Sequence, residues 1–84
     1  MNQQQKEKVP QVLKKSHVQL EKFEFGKYAV VASYVLINNE KMKEPHDVTI
    51  FGPAGFKLPV NGYDMLYQAF NIAQKLDEDN RQSK

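Results

Sequence analysis

Residues 55–76 read GFKLPVNGYDMLYQAFNIAQKL, and this stretch decides the fold. Phe56-Lys57-Leu58 is a short strand that Pro59 stops, because proline has no N–H to give a sheet ladder. Asn61 and Gly62 make the turn that follows. Asn61 is a good helix N-cap, with Asp64 three residues on in the place of the capping-box acid. Tyr63, Leu66 and Phe70 then recur at helical spacing, so one helix closes a chain otherwise built of strand-like runs. The polar positions Asp64, Gln68, Asn71 and Lys75 form a narrow stripe, whereas the apolar ones, from Tyr63 to Leu76, cover about half of the circumference. A helix that faces only its own sheet needs a narrower arc. The excess predicts that the helix also packs on a second subunit, with Leu66, Phe70 and Ala73 at the interface of a two-fold homodimer.

Upstream of this closing unit, Asp47 to Phe51 (DVTIF) is strand-like, and Gly52-Pro53-Ala54-Gly55 turns it into the short strand already described. Asn38 to His46 is a polar loop carrying Lys41 and Lys43. Tyr28 to Ile37 (YAVVASYVLI) is the most apolar run, with apolar residues on both parities, so neither face is expected to be fully exposed in the functional state. Gly26-Lys27 is a two-residue hairpin turn. Between His17 and Phe25, Val18 and Leu20 fall on one parity and Phe23 and Phe25 on the other. A strict strand cannot put all four on one face, so a bulge near Glu21-Lys22 and an exposed ring at Phe23 or Phe25 are expected.

These elements predict an α+β chain: a curved antiparallel sheet of about four strands followed by one C-terminal helix, forming a helix-mediated homodimer. Residues 1–15 read as a flexible lysine- and glutamine-rich arm, 16–78 as the β-β-β-β-α domain, and 79–84 as a charged tail.

Composition narrows the function. Eighty-four residues allow one domain, and a chain this short buries only ~60% of the surface that it exposes when unfolded. There is no cysteine, which excludes disulfide staples and thiol chemistry. Twelve Lys and Arg against ten Asp and Glu give a formal net charge of +2, too little for a polybasic DNA binder. No apolar run is long enough to span a bilayer, and Met1 to Lys6 lacks the apolar core of a signal peptide, so a soluble, intracellular chain in the cytoplasm or nucleus is expected. His17 and His46 have no ligand or triad companions, and Ser16 and Ser33 lack a base. No enzyme activity, metal or cofactor is expected.

The residues that could carry a binding function are aromatic and basic. Phe23 and Phe25 beside Lys22 and Lys27 would suit a base-stacking platform with a phosphate-neutralising rim, and Tyr34 could extend it. Lys41, Lys43 and Lys57 could line a basic channel. For each aromatic the competing assignment is a place in the core.

The order of elements, read with these residues, resembles the single-stranded-DNA-binding transcriptional coactivator family of the positive cofactor four type. Val18-Gln19-Leu20-Glu21-Lys22-Phe23 followed by Gly26-Lys27 is similar to its first strand and hairpin. Glu40-Lys41-Met42-Lys43-Glu44-Pro45 is similar to its lysine-containing loop, and Gly55-Phe56-Lys57-Leu58 with Tyr63 and Leu66 to its last strand and helix start. The resemblance implies a dimer with its helices packed together and its sheets holding single-stranded nucleic acid in a transcription or replication role. Val35 or Leu36 stands where the family carries an aromatic on the second strand, and Ala32 or Ser33 where it carries an arginine. A second expectation therefore stands beside the first: a small protein-interaction or inhibitor domain that keeps the fold without the nucleic-acid affinity.

Overall fold

The structure is a computed structural model and describes residues 10–15 and 17–82. Six strands precede one helix: β1 (Gln11–Lys15), β2 (Val18–Phe25), β3 (Tyr28–Ile37), β4 (Glu40–Lys41), β5 (Asp47–Phe51), β6 (Lys57–Val60) and α1 (Met65–Gln82). They form one sheet in the spatial order β1-β2-β3-β5-β6, with β4 pairing the last two residues of β3. Every pairing is antiparallel. The α+β class and the C-terminal helix are as expected.

The strand count is not. Gln11–Lys15 lies inside the segment read as an arm, yet it pairs along β2 from Lys15 opposite Val18 to Gln11 opposite Lys22. Its side chains are all exposed, so hydrophobic burial leaves no mark on its sequence. Its backbone instead satisfies the N–H and C=O groups on the outer edge of β2.

β2 contains no bulge. Its register with β3 runs unbroken from Val18 opposite Val35 to Phe25 opposite Tyr28. Strict alternation sends Gln19, Glu21, Phe23 and Phe25 to the helix side and Val18, Leu20, Lys22 and Glu24 to the other. Pro59 does not stop β6 but sits within it, opposite Thr49. Because β6 is an edge strand, the N–H that proline lacks is one the ladder does not need.

The turns follow backbone demands. Asn38 and Asn39 link β3 to β4 with φ of 54° and 67°, the paired left-handed conformation that suits asparagine in a two-residue hairpin. At Gly52 a Cβ would come within 2.6 Å of the Tyr28 ring. A side chain there would push aside that ring, which meets Phe56 edge to face at 5.7 Å.

The helix starts later than its sequence suggests. Asp64 immediately precedes it with φ of 53°, and the Gln68 N–H donates to the Asp64 carbonyl at 2.9 Å as the first turn closes. The Gln68 side-chain amide donates to the Tyr63 carbonyl. Left-handed backbone at Gly62 (φ 106°) and Asp64 holds residues 61–64 out of the helix, so Asn61 does not cap it. At the other end α1 continues to Gln82, through most of the segment read as a tail, with Arg81 3.5 Å from Asp77 in its last turns.

The core lies between the sheet and α1. Val30, Val48 and Ile50 are fully buried, each contributing roughly 1.5–3 kcal/mol by leaving water. Ala69, Phe70 and Ala73 come down on them from the helix, and Phe23, Phe25 and Val60 close the sides.

Candidate functional site

The sequence-predicted aromatic platform does not form. Phe23, Phe25 and Tyr34 are 7%, 8% and 4% exposed and belong to the core under α1. The expectation of an exposed ring at Phe23 or Phe25 is corrected: the unbroken pleat of β2 turns both towards the helix, and Phe70 fills the space between them. Among the helix residues, Phe70 and Ala73 are buried against their own sheet, while Leu66 is half-buried beside them and faces, with Phe70, the groove along the helix. The apolar residues that α1 and its lead-in leave in water are Tyr63 and Tyr67, 86% and 60% exposed.

Nor are the predicted lysines brought together. Lys22 and Lys57 lie on the face of the sheet opposite the helix, Lys27 sits in the β2–β3 turn, and Lys41 and Lys43 belong to the segment after β3 on the helix side. A single channel lined by all of them does not exist.

The structure assembles instead an open apolar sheet face. Cross-strand pairing puts Leu13 beside Leu20 and Val18 beside Val35, with Val31 in the next row beside Lys22. Phe51 stands directly opposite Lys57. Leu13, Val35, Ile37 and Phe51 are all exposed, and among the described residues no element packs over this face. Lys15, Lys22, Glu24, Asp47 and Lys57 bring charge of both signs among and around these apolar positions. The signal in the sequence was the two-sided apolar character of Tyr28–Ile37 together with the off-parity Val18 and Leu20.

On the helix side a polar cluster ties β4 to β2. Glu21 is buried and accepts from Gln19 Nε2 at 2.6 Å and from Lys41 Nζ at 2.9 Å. The same ammonium lies 4.3 Å from the centroid of the Tyr34 ring, a cation–π contact. Burial, and then the neighbouring Glu21 charge, push the Tyr34 hydroxyl above its ordinary pKa. The cluster is satisfied, which makes it a fastening for the 38–46 segment.

Between that segment and α1 runs a groove of about 950 Å³, floored by Tyr34, Leu66 and Phe70 and flanked by Lys43, Pro45, Tyr67 and Lys75. Its polar lining is Lys43, Glu44, Asp64, Lys75 and Glu78 with the amides of Asn71 and Gln74. Among the described residues no group of three or more His, Cys, Asp or Glu is placed to hold a metal ion, and no helix is long and apolar enough to cross a membrane.

Electrostatics weigh on what the open face could take. Across residues 10–82 nine Lys and Arg face nine Asp and Glu, so the net positive charge comes from Lys6, Glu7, Lys8 and Lys84 outside that span. Comparison of the chain with protein-family models, with curated proteins and with solved structures finds no match in any of the three.

Proposed function

We propose that this chain is a non-enzymatic protein-interaction module that receives a partner protein on the open face of its sheet. One observation carries the reading: exposed Leu13, Val35 and Phe51 and half-buried Val18, Leu20 and Val31 stand on neighbouring rows of one sheet face that no element among the described residues covers. Contiguous exposed apolar surface of this kind marks association sites in soluble proteins. Charge balance across residues 10–82 supports a protein partner over a polyanion, since affinity for nucleic acid rests on phosphate neutralisation.

A second reading has its own observation. Phe51, 39% exposed, stands opposite Lys57 on the open face, the pairing of ring and cation that a single strand uses to stack a base and hold a phosphate.

One set of variants separates them. Val35→Lys and Leu20→Lys place charge on the open face while leaving the helix-side core intact, and Tyr67→Lys is the control on the other side. Light scattering reports self-association, cross-linking followed by mass spectrometry reports contacts with other proteins, and an oligonucleotide titration reports nucleic acid. The interaction reading expects a dimer or a specific cross-linked partner that the open-face variants lose and Tyr67→Lys keeps. Oligonucleotide binding that weakens with salt by roughly 0.7 log units per phosphate and is lost in Phe51→Ala or Lys57→Ala would replace it with the second reading. Open-face variants that change none of these measurements would remove both.

A further inference from the structure

We propose that Asn61-Gly62 is a site of spontaneous covalent modification, at which the Asn61 side-chain amide is converted through a cyclic imide to an aspartyl or isoaspartyl residue. The nucleophile is the backbone nitrogen of Gly62, and its access to the Asn61 side chain is the controlling feature. Of the asparagines in the chain, Asn61 alone precedes glycine, while Asn2, Asn38, Asn39, Asn71 and Asn80 precede Gln, Asn, Glu, Ile and Arg. A side chain on the following residue obstructs the closure, and glycine has none.

The fold leaves this pair open. It lies between β6 and α1, in neither, and both residues are exposed. Nothing comes within 4 Å of the place that a Cβ on Gly62 would occupy. Among the described residues neither the Asn61 side chain nor the Gly62 N–H has a hydrogen-bond partner. The late start of the helix is what frees the asparagine from capping. By contrast, Asn71 and Asn80 lie within α1, where the helix fixes the backbone nitrogen that would have to attack.

The steps balance without any partner molecule except water. The Gly62 nitrogen gives up its proton and bonds to Cγ of Asn61. The Cγ–Nδ2 bond breaks and Nδ2 leaves as ammonia with that proton. Water then opens the imide. Cleavage at Cγ gives an aspartyl residue, and cleavage at the former main-chain carbonyl gives an isoaspartyl link that runs through the β-carboxyl. Either product places a new carboxylate beside Gly62 and Asp64, at the end of the groove along α1. The isoaspartyl form also lengthens the main chain by a methylene at the entry to the helix. It is the chemical class that methyl-transferring protein-repair enzymes accept.

The test uses the whole protein, held folded in warm, mildly alkaline buffer beside a free peptide spanning residues 58–65. Peptide mapping by mass spectrometry follows each asparagine, ion-exchange chromatography follows acidic species, and circular dichroism confirms that the sample stays folded. The expected result is loss of the amide at position 61 within about tenfold of the peptide's rate, a margin equal to about 1.4 kcal/mol of loop distortion at the barrier. Asn61→Gln should abolish most of the acidic species, because the longer side chain closes its ring far more slowly. A rate at position 61 more than about tenfold below the peptide's, or acidic species forming as fast in Asn61→Gln as in the unaltered chain, would overturn the proposal.

Discussion

The rings of Phe23 and Phe70 meet edge to face, with centroids 4.8 Å apart and planes at 68°. From sequence, Phe23 suits a base-stacking platform and Phe70 a subunit interface. In the folded chain each is the other's partner, and Phe25 flanks Phe70 at 5.6 Å. Truncating either therefore opens the core. Phe23→Ala should lower unfolding free energy by about 3–5 kcal/mol in urea denaturation and broaden or abolish the transition in so small a domain. A cycle of the milder Phe23→Leu and Phe70→Leu should give a coupling of about 0.5–1.5 kcal/mol from the ring pair itself. A stable, cooperatively folding Phe23→Ala would mean that the ring is not packed here.

Gly26 joins β2 to β3 with φ of 62°, and a Cβ there would run into the Asp77 carboxylate of α1. Two penalties follow, one from the left-handed backbone and one from the collision. Gly26→Ala should destabilise by about 1–3 kcal/mol. In an Asp77→Ser background, where the obstructing carboxylate is gone, the same change should retain only the backbone part, about 1 kcal/mol. Equal losses in both backgrounds would show that the hairpin and the helix do not touch.

Glu21 and Lys41 hold the segment after β3 against the helix-side face. Lys41→Met leaves the buried carboxylate with Gln19 as its remaining partner. A loss of about 1–2 kcal/mol is expected, at the low end for a buried pair because Lys41, 37% exposed, is partly screened by water. Replacing both groups, as Glu21→Leu with Lys41→Met, should recover most of it. Hydrogen exchange gives the local readout. The Met42 N–H, bonded to the Val35 carbonyl at 3.1 Å, should exchange faster in the single variant, and unchanged protection would place the fastening elsewhere.

Tyr34 adds a pH dependence. Burial, with Glu21 beside it, raises its hydroxyl pKa in the folded chain above the ordinary value near 10, so the folded state holds its proton more tightly than the unfolded state does. Its contribution is fully present below about pH 10 and is lost as pH rises through the folded-state value. Urea denaturation across that alkaline range should show stability falling in the unaltered chain and falling less steeply in Tyr34→Phe. Parallel curves would assign the alkaline loss to other groups.

Much of this was legible in the residues. The β-branched and aromatic runs Tyr28–Ile37 and Asp47–Phe51 and the helical spacing of Leu66, Phe70 and Ala73 are local patterns, and they fix element type without knowledge of neighbours. The apolar character of both faces of β3 also announced that this sheet carries more apolar surface than its own helix covers. Chemistry that needs a cysteine was excluded by its absence, and the weak net charge argued from the start against a polyanion held by charge alone.

Tertiary structure decided what local pattern leaves open. β1 is invisible in composition because its side chains stay in water, and only pairing with β2 makes it a strand. The parity of β2 could be read either way until register with β3 fixed Phe23 and Phe25 on the inner face. A one-residue slip would have exchanged the two faces, and that choice belongs to the whole sheet. The same register sends Val18, Leu20 and Val35 outward together, bringing residues far apart in the chain onto one open surface. Sequence determined which side chains are apolar, whereas the side of the sheet on which each stands was settled by long-range pairing and by where a single helix could lie.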